Sequence, residues 1–392
     1  MALTRRAFVG TGVAGACAAM TAGPALAVFG DSPVGGNVTI GVVAPFTGDD
    51  IRLGEQLGNG VRAALDDANQ LRGNLDRAYT MRTFDDQNLL ATGLVNAEFA
   101  CDDPTVIAVI GHLSGRITEA ALATYVNNRM PVVCPASTYD RLTSHGYGNI
   151  VRLAVKDSTE GRAAARYVAK TKPAPTSVVV LSQDGDYGPD VAAGFIDQTA
   201  GDKLKTNAIN FSWDKPDFAT VTKSALTSAP DAIFLAGIPK DMGPVVRQLR
   251  AGGYTGRFFG SQGFFDPLTL QKYGAELEGL TISTSMPPLA IAPGAFRIKS
   301  DYERRYGALT PLAAFSYAAA QIVIAVVRRT GSQDRLAVAR ALNASSTFAT
   351  VIGPITFAND GDPQDPNVYF YSIVNGAWKY VASSIPSSFV VH

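Results

Sequence analysis

The sequence predicts an α/β fold made of two successive units, each with a parallel central sheet. Three observations carry this expectation. Short apolar, β-branched runs alternate with amphipathic stretches from Asn37 onward, the pattern of βαβ units. The alternation starts again after Thr159. The tail beyond the second unit holds too few elements for a third domain, so it is expected to return and complete the other two.

In the first unit, residues 38–43 form a strand running to Pro45. Residues 54–70 form a helix with Val61, Ala64, Leu65 and Ala68 on one face. A strand over 80–84, a helix over 91–100 and a buried strand over 106–110 come next, the last stopped at Gly111. Helix 117–129 and strand 131–134 close the unit. The second unit reads as helix 161–170, strand 177–182, helix 190–199, strand 209–211, helix 219–228, strand 232–236, helix 242–251 and a strand end at 257–260. The tail holds helices over 302–306, 313–329 and 335–342. Strands 368–374 and 378–381 then flank Asn375-Gly376, a strong hairpin signal.

The N-terminus reads as a twin-arginine export signal. Arg5-Arg6 precedes a weakly apolar, Gly- and Ala-rich run over 9–22, and Ala25-Leu26-Ala27 is a cleavage site. Cleavage after Ala27 is expected to release the chain into the periplasm. Gly10-Thr11-Gly12-Val13-Ala14-Gly15 matches a dinucleotide-binding pattern in letters only, because no strand precedes it. The stretch 313–327, interrupted by Ser316 and Gln321, reads as too short to span a bilayer. The 34 Lys and Arg balance the 34 Asp and Glu. A near-neutral chain without basic blocks speaks against nucleic acid as a partner. Cys101 and Cys134 are expected at opposite ends of a sheet, as separate thiols.

Ligands of open α/β sheets bind beyond the carboxyl ends of the strands, and several such ends carry small or polar residues here. Ser114, Gly115 and Arg116 open a helix; they suit an anion or simply cap it. Ala136, Ser137 and Thr138 come after the next strand, as a carboxylate site or a polar turn. Tyr187, after Asp184-Gly185-Asp186, either covers a ligand or packs. Gln262 offers an amide beside Phe264 and Phe265. Enzyme readings fare poorly. His112, His145 and His392 are too scattered for a metal cage. Ser114 is not the middle residue of a nucleophile elbow, and there is no phosphate-binding glycine loop. Adjacent Asp85 and Asp86 read as loop caps. No enzyme activity, metal or cofactor is expected.

Taken in order, these residues resemble the leucine/isoleucine/valine-binding protein family, the type I periplasmic receptors of branched-chain amino acid ABC transporters. The resemblance runs from Asn37 to Trp378. Its carriers are Ile40-Gly41-Val42-Val43-Ala44-Pro45-Phe46-Thr47-Gly48, Phe84-Asp85-Asp86 and Val109-Ile110-Gly111-His112. Cys134-Pro135-Ala136-Ser137-Thr138, Asp186-Tyr187-Gly188 and Ile352-Gly353-Pro354-Ile355-Thr356-Phe357 continue it. It implies two Rossmann-like lobes joined by a three-crossover hinge. Lobe 1 would take residues 37–157 with 286–370, and lobe 2 residues 158–285 with 371–392. It further implies a monomer that closes on an amino acid, amide or organic acid and docks on a membrane permease, or a sensing module of the same fold. Carried over, ligand contacts fall at Ser114, Gly115, Ala136 and Thr138, with Tyr187 from the second lobe. Three departures stand out. Gln262 replaces an acid that pairs with the ligand's ammonium, and an amide cannot make that charge-assisted bond. Leu53 replaces a covering aromatic, and Asn88 and Ser114 occupy the family's disulfide positions. The expected ligand therefore bears a carboxylate or amide, without an obligatory ammonium.

Overall fold

The computed structural model describes residues 36–71, 77–185, 187–200, 204–212, 217–291, 295–344 and 346–384. The export signal, its cleavage site, Asp186 and His392 lie outside the described residues.

The first run of elements is β1 (Val38–Ala44), α1 (Ile51–Gln70), β2 (Tyr79–Asp85), α2 (Leu90–Asp102), β3 (Val106–Gly111), α3 (Gly115–Asn127), β4 (Val132–Cys134) and β5 (Ile150–Arg152). Its strands form a wholly parallel sheet in the order β2-β1-β3-β4-β5. The second run is α4 (Asp157–Lys170), β6 (Ser177–Gln183), α5 (Gly188–Thr199), β7 (Lys205–Phe211), α6 (Phe218–Thr227), β8 (Ala232–Ala236), α7 (Pro239–Ala251), β9 (Arg257–Gly260), α8 (Pro267–Tyr273) and β10 (Thr281–Thr284). It makes a parallel block ordered β7-β6-β8-β9-β10. The repeat expected from the pattern is thus a repeat of topology: in both sheets the second strand lies outside the first and the others run the opposite way.

The chain then returns to the first core with α9 (Ala295–Tyr306), α10 (Pro311–Thr330), α11 (Arg335–Leu342) and the hairpin β11 (Thr347–Thr350) and β12 (Gly353–Thr356). It crosses once more to add β13 (Tyr369–Val374) and β14 (Ala377–Ser383) antiparallel beside β10. Asn375 at φ 54° and Gly376 at φ 68° make the turn the dipeptide foretold. Three passages between the sheets result, after β5, β10 and β12.

Both sheets are covered on both faces, which is why their central strands read as unbroken apolar runs. Ile40, Val42 and Ile110 pack on Leu57 and Val61 of α1 and on Ala318 and Ile322 of α10. Val43, Val109 and Val132 face Leu122 and Tyr125 of α3. In the second sheet, Leu181, Ile233 and Leu235 meet Val245, Val246 and Leu249 of α7, while Val180 and Phe234 meet Val168 of α4 and Phe195 of α5.

The expectation for residues 313–327 needs correction. The helix runs to 20 residues, long and apolar enough to cross a membrane, but 72% of its apolar window is buried in the protein and it packs on α1. Its continuous apolarity is that of a core helix. The strands β5 and β10 have three and four residues, too short for a period to register. The first four residues of β7 carry no apolar signal because they are largely exposed at a sheet edge. Cys101 and Cys134 are buried and unbonded to each other, as expected.

One contact between helices sets the position of the α4 start. A β-carbon on Gly161 of α4 would sit 2.0 Å from the Val191 carbonyl oxygen of α5, and one on Gly194 would sit 2.2 Å from that of Ser158. Glycine on both sides brings the first turn of α4 against α5.

Candidate functional site

Strand order reverses between β1 and β3 and again between β6 and β8, so the loops leaving these strands diverge and open a crevice at each point. Ser114 is the N-cap of α3, and its hydroxyl accepts from the Ile117 N–H at 3.3 Å. The capping role is therefore realised. Gly115 is buried, and a β-carbon there would lie 2.4 Å from the Tyr139 β-carbon and 2.9 Å from Ser137 Oγ. The glycine lets the start of α3 abut the loop after β4. That loop carries half-buried Ala136, buried Ser137 and half-buried Thr138, and the Thr138 carbonyl accepts from the Asp157 N–H at 3.0 Å.

The loop is held from behind by Arg152 on β5, which is fully buried. Its guanidinium donates to Asp362 Oδ1 at 2.5 Å, to the Tyr139 carbonyl at 2.7 Å and to the Thr143 hydroxyl at 2.7 Å. Lys156 Nζ reaches the other Asp362 oxygen at 2.5 Å. Arg152 and Lys156 keep the Asp362 carboxyl below its usual range against the opposing effect of burial.

From the second sheet come Tyr187 and Gln262, both drawn to one buried acid. Glu160 of α4 is 1% exposed. Its Oε1 accepts from the Gln262 N–H at 2.7 Å and from the Ser283 hydroxyl at 2.7 Å, and its Oε2 accepts from the Tyr187 hydroxyl at 3.2 Å. Burial pushes the Glu160 carboxyl up to about 7, with these three donors opposing. Tyr187 also packs on the second core, so packing and a polar role coexist. The Gln262 side chain accepts from the Ser285 N–H at 3.4 Å, which turns its amide oxygen towards the segment after β10.

Asp157, one turn before Glu160, has 0% exposure. Burial and the neighbouring Glu160 raise its carboxyl well above the ordinary range. Asp140 accepts from the Ser158 N–H at 3.0 Å, and burial together with Asp140 raises Asp190 of α5. Two contacts tie the sheets' loops together. Exposed Arg116 donates to the Gly185 carbonyl at 2.7 Å, and Arg52 pairs with Asp266 at 2.9 Å.

The predicted residues thus gather as two sets. Ser114, Gly115, Arg116, Ala136, Ser137 and Thr138 belong to the first sheet's loops, and Tyr187 and Gln262 to the second's. Sequence reasoning misses the acids between them. Asp157-Ser158-Thr159-Glu160 places two acids one turn apart at a helix start, the one signal that was available; acids there also suit the helix dipole, and only the fold shows them buried. Other groupings lie apart. His112 bonds Asp86 at 2.7 Å and Tyr125 at 2.8 Å, wholly shut from solvent. A cavity of about 360 Å³, lined by Leu153, Val155, Ser285, Phe315, Ile355 and Tyr369, adjoins Gln262 through Ser285 but is lined by none of the predicted residues. Among the described residues no three potential ligands converge on a metal position.

Comparison with known proteins agrees with the fold. A family model described as periplasmic binding protein matches residues 37–377. The Leu/Ile/Val-binding protein homolog 1 of Brucella suis biovar 1 is 25% identical over 362 residues, covering 90% of this chain and 94% of its own. A leucine binding protein LivK from Thermotoga maritima MSB8 superposes with a TM-score of 0.81 at 25% identity, over 89% of this chain and 99% of its own. An ABC-transporter solute binding protein from R. palustris, in complex with benzoate, shares the fold with a TM-score of 0.79 at 16% identity, over 90% and 97%. Members of this family are solute-binding proteins rather than enzymes. The chain belongs to the periplasmic binding protein family, and within it to the kind that includes the Leu/Ile/Val-binding proteins.

Proposed function

We propose that this chain is the periplasmic receptor of an ABC importer of the branched-chain amino acid type. As a monomer it closes on a small amino acid, amide or carboxylate and presents the closed form to the membrane permease. Residues 37–157 with 286–370 act as one lobe, and 158–285 with 371–392 as the other. The observation that carries this reading is the convergence of loops from two like-ordered sheets. Hydroxyls and helix-start N–H groups come from the first, and an aromatic and acids from the second. The Thermotoga maritima relative is a leucine binding protein and the R. palustris one holds benzoate, so chemistry at the site, rather than fold, sets the ligand.

Binding favours the closed form in proportion to the ligand's preference for it, and Arg116–Gly185 and Arg52–Asp266 are contacts that closure would make. The test is a thermal-shift screen against amino acids, amides and aromatic acids, followed by X-ray scattering. A ligand at 100 times its Kd adds about 2.7 kcal/mol of stability, with a smaller radius of gyration and the ligand recovered unchanged. Chemical conversion of the ligand, or no compaction on binding, overturns the reading.

A further inference from the structure

We propose that residues 385–392, which follow the last described residue, Ser384, dock in the cavity beside the passages between the sheets and favour the arrangement in which the loops of the two sheets touch. The cavity, of about 360 Å³, is walled by all three passages. Leu153 and Val155 come from the one after β5, Ser285 and Pro287 from the one after β10, and Pro366 and Asn367 from the one after β12. Buried Phe315 of α10 and Ile355 of β12 complete its floor. Several polar groups in its wall are already engaged. The Ser285 hydroxyl accepts from the Val155 N–H at 2.9 Å, and the Thr347 and Thr356 hydroxyls bond each other at 2.8 Å. An occupant therefore meets apolar side chains at the floor.

Strand β14 delivers the chain to this cavity. Ser383 is the register partner of Tyr369, which lines it. Ser384 continues the ladder: its N–H donates to the Val368 carbonyl at 2.7 Å, and its hydroxyl accepts from the Val368 N–H at 2.9 Å. The same hydroxyl donates to Asn367 Oδ1 at 2.9 Å. Ser384 is thus held at the rim, and the chain goes on as Ile385-Pro386-Ser387-Ser388-Phe389-Val390-Val391-His392. Ile385, Phe389, Val390 and Val391 are large and apolar, and the stretch has no Asp, Glu, Lys or Arg. Five residues span at most roughly 17 Å, enough to bring Phe389 to any part of so small a cavity. Removing these side chains from water favours docking, and so short a connection keeps them at an effective concentration of about millimolar. Turning one sheet against the other changes the backbone angles of all three passages, and with them the shape of the cavity. An occupant favours the arrangement whose cavity it fits. In the described one, Arg116 reaches Gly185 and Arg52 pairs with Asp266. This goes beyond the receptor reading, and its test needs no ligand.

The experiment compares the ligand-free chain with a variant ending at Ser384 and with the full-length Phe389→Asp, by hydrogen exchange and X-ray scattering. Both variants should exchange faster at residues 153–155, 285–287 and 366–369, by at least about tenfold, the scale set by burying one aromatic side chain. Exchange at residues 178–181, in the middle of the second sheet, should not change. The radius of gyration should rise in both variants. Unchanged exchange at the three passages overturns the docking. So does faster exchange that extends equally to residues 178–181, since that reports a general loss of stability. Loss of the wild-type protection on dilution assigns the cavity to the tail of a second copy and overturns docking within one chain. Faster exchange with an unchanged radius of gyration overturns the coupling to the arrangement of the sheets. Each of these outcomes leaves the receptor reading intact.

Discussion

The two parallel sheets have the same strand order and opposite duties. The first, β2-β1-β3-β4-β5, offers hydroxyls, a close-packed glycine and backbone groups, and its loop after β4 is braced by an arginine with no exposed surface. The second, β7-β6-β8-β9-β10, offers buried acid and aromatic side chains, and its key acid ties together three separate segments. A shared topology therefore fixes where a ligand can sit, while the loop chemistry decides what each side contributes. The first side is a cradle held by a cation behind it; the second is a charged wall whose ionisation depends on burial.

The largest break in this comparison is expected at Arg152. Arg152→Met removes the brace and leaves Asp362 buried with Lys156 as its remaining cation. Loss of one partner of a buried pair costs about 3–5 kcal/mol. Denaturant unfolding should show that loss, and hydrogen exchange should show faster exchange at residues 137–140. Stability within about 1 kcal/mol of wild type would mean that the first sheet's loop stands without its arginine.

The counterpart on the second side is a pH dependence. Glu160 has a folded pKa of about 7 against an ordinary value of 4.5. The proton is held more tightly when folded, so the stabilisation is full below about 4.5 and disappears as pH rises through about 7. That difference corresponds to roughly 3 kcal/mol. Asp157 acts with the same sign. The ligand-free protein should unfold at a higher denaturant concentration at pH 5 than at pH 8, and Glu160→Gln should flatten that slope. A wild-type slope of the opposite sign would count against a neutral Glu160 in the folded state.

A smaller effect is expected for the first side's hydroxyl. Thr138→Ala should weaken ligand binding by about 1–3 kcal/mol if it meets a charged ligand group, read by calorimetry; wild-type affinity would remove it from the site. The smallest concerns the contact between the sheets. Arg52 is 44% exposed and Asp266 17% at the side chain, so Arg52→Ala should change stability by less than about 1 kcal/mol. It should still shift the scattering profile of the ligand-free chain towards an expanded form.

These effects differ in how far each was legible along the chain. Gly115 and Ser137 were readable because a strand end followed by small residues is a local signal. Glu160 was not, since its partners Gln262 and Ser283 lie 102 and 123 positions away. The missing acid at 262 is what the family resemblance exposes, and from it a ligand without an obligatory ammonium is expected. The burial of two other acids, Asp157 and Glu160, is legible only in the fold.

By itself the sequence determined the alternation of strands and helices, the restart after Thr159, the Asn375-Gly376 turn and the strand ends that carry polar loops. These are local properties, because the period of apolar residues reflects the face each element buries. The tertiary structure alone decided that both sheets share one strand order and that Pro311–Thr330 is a core helix. It also decided that Arg152, Asp157 and Glu160 are sealed from water. Burial and its effect on a charge depend on groups brought together from distant parts of the chain, and no local pattern encodes how much water is left around a carboxylate.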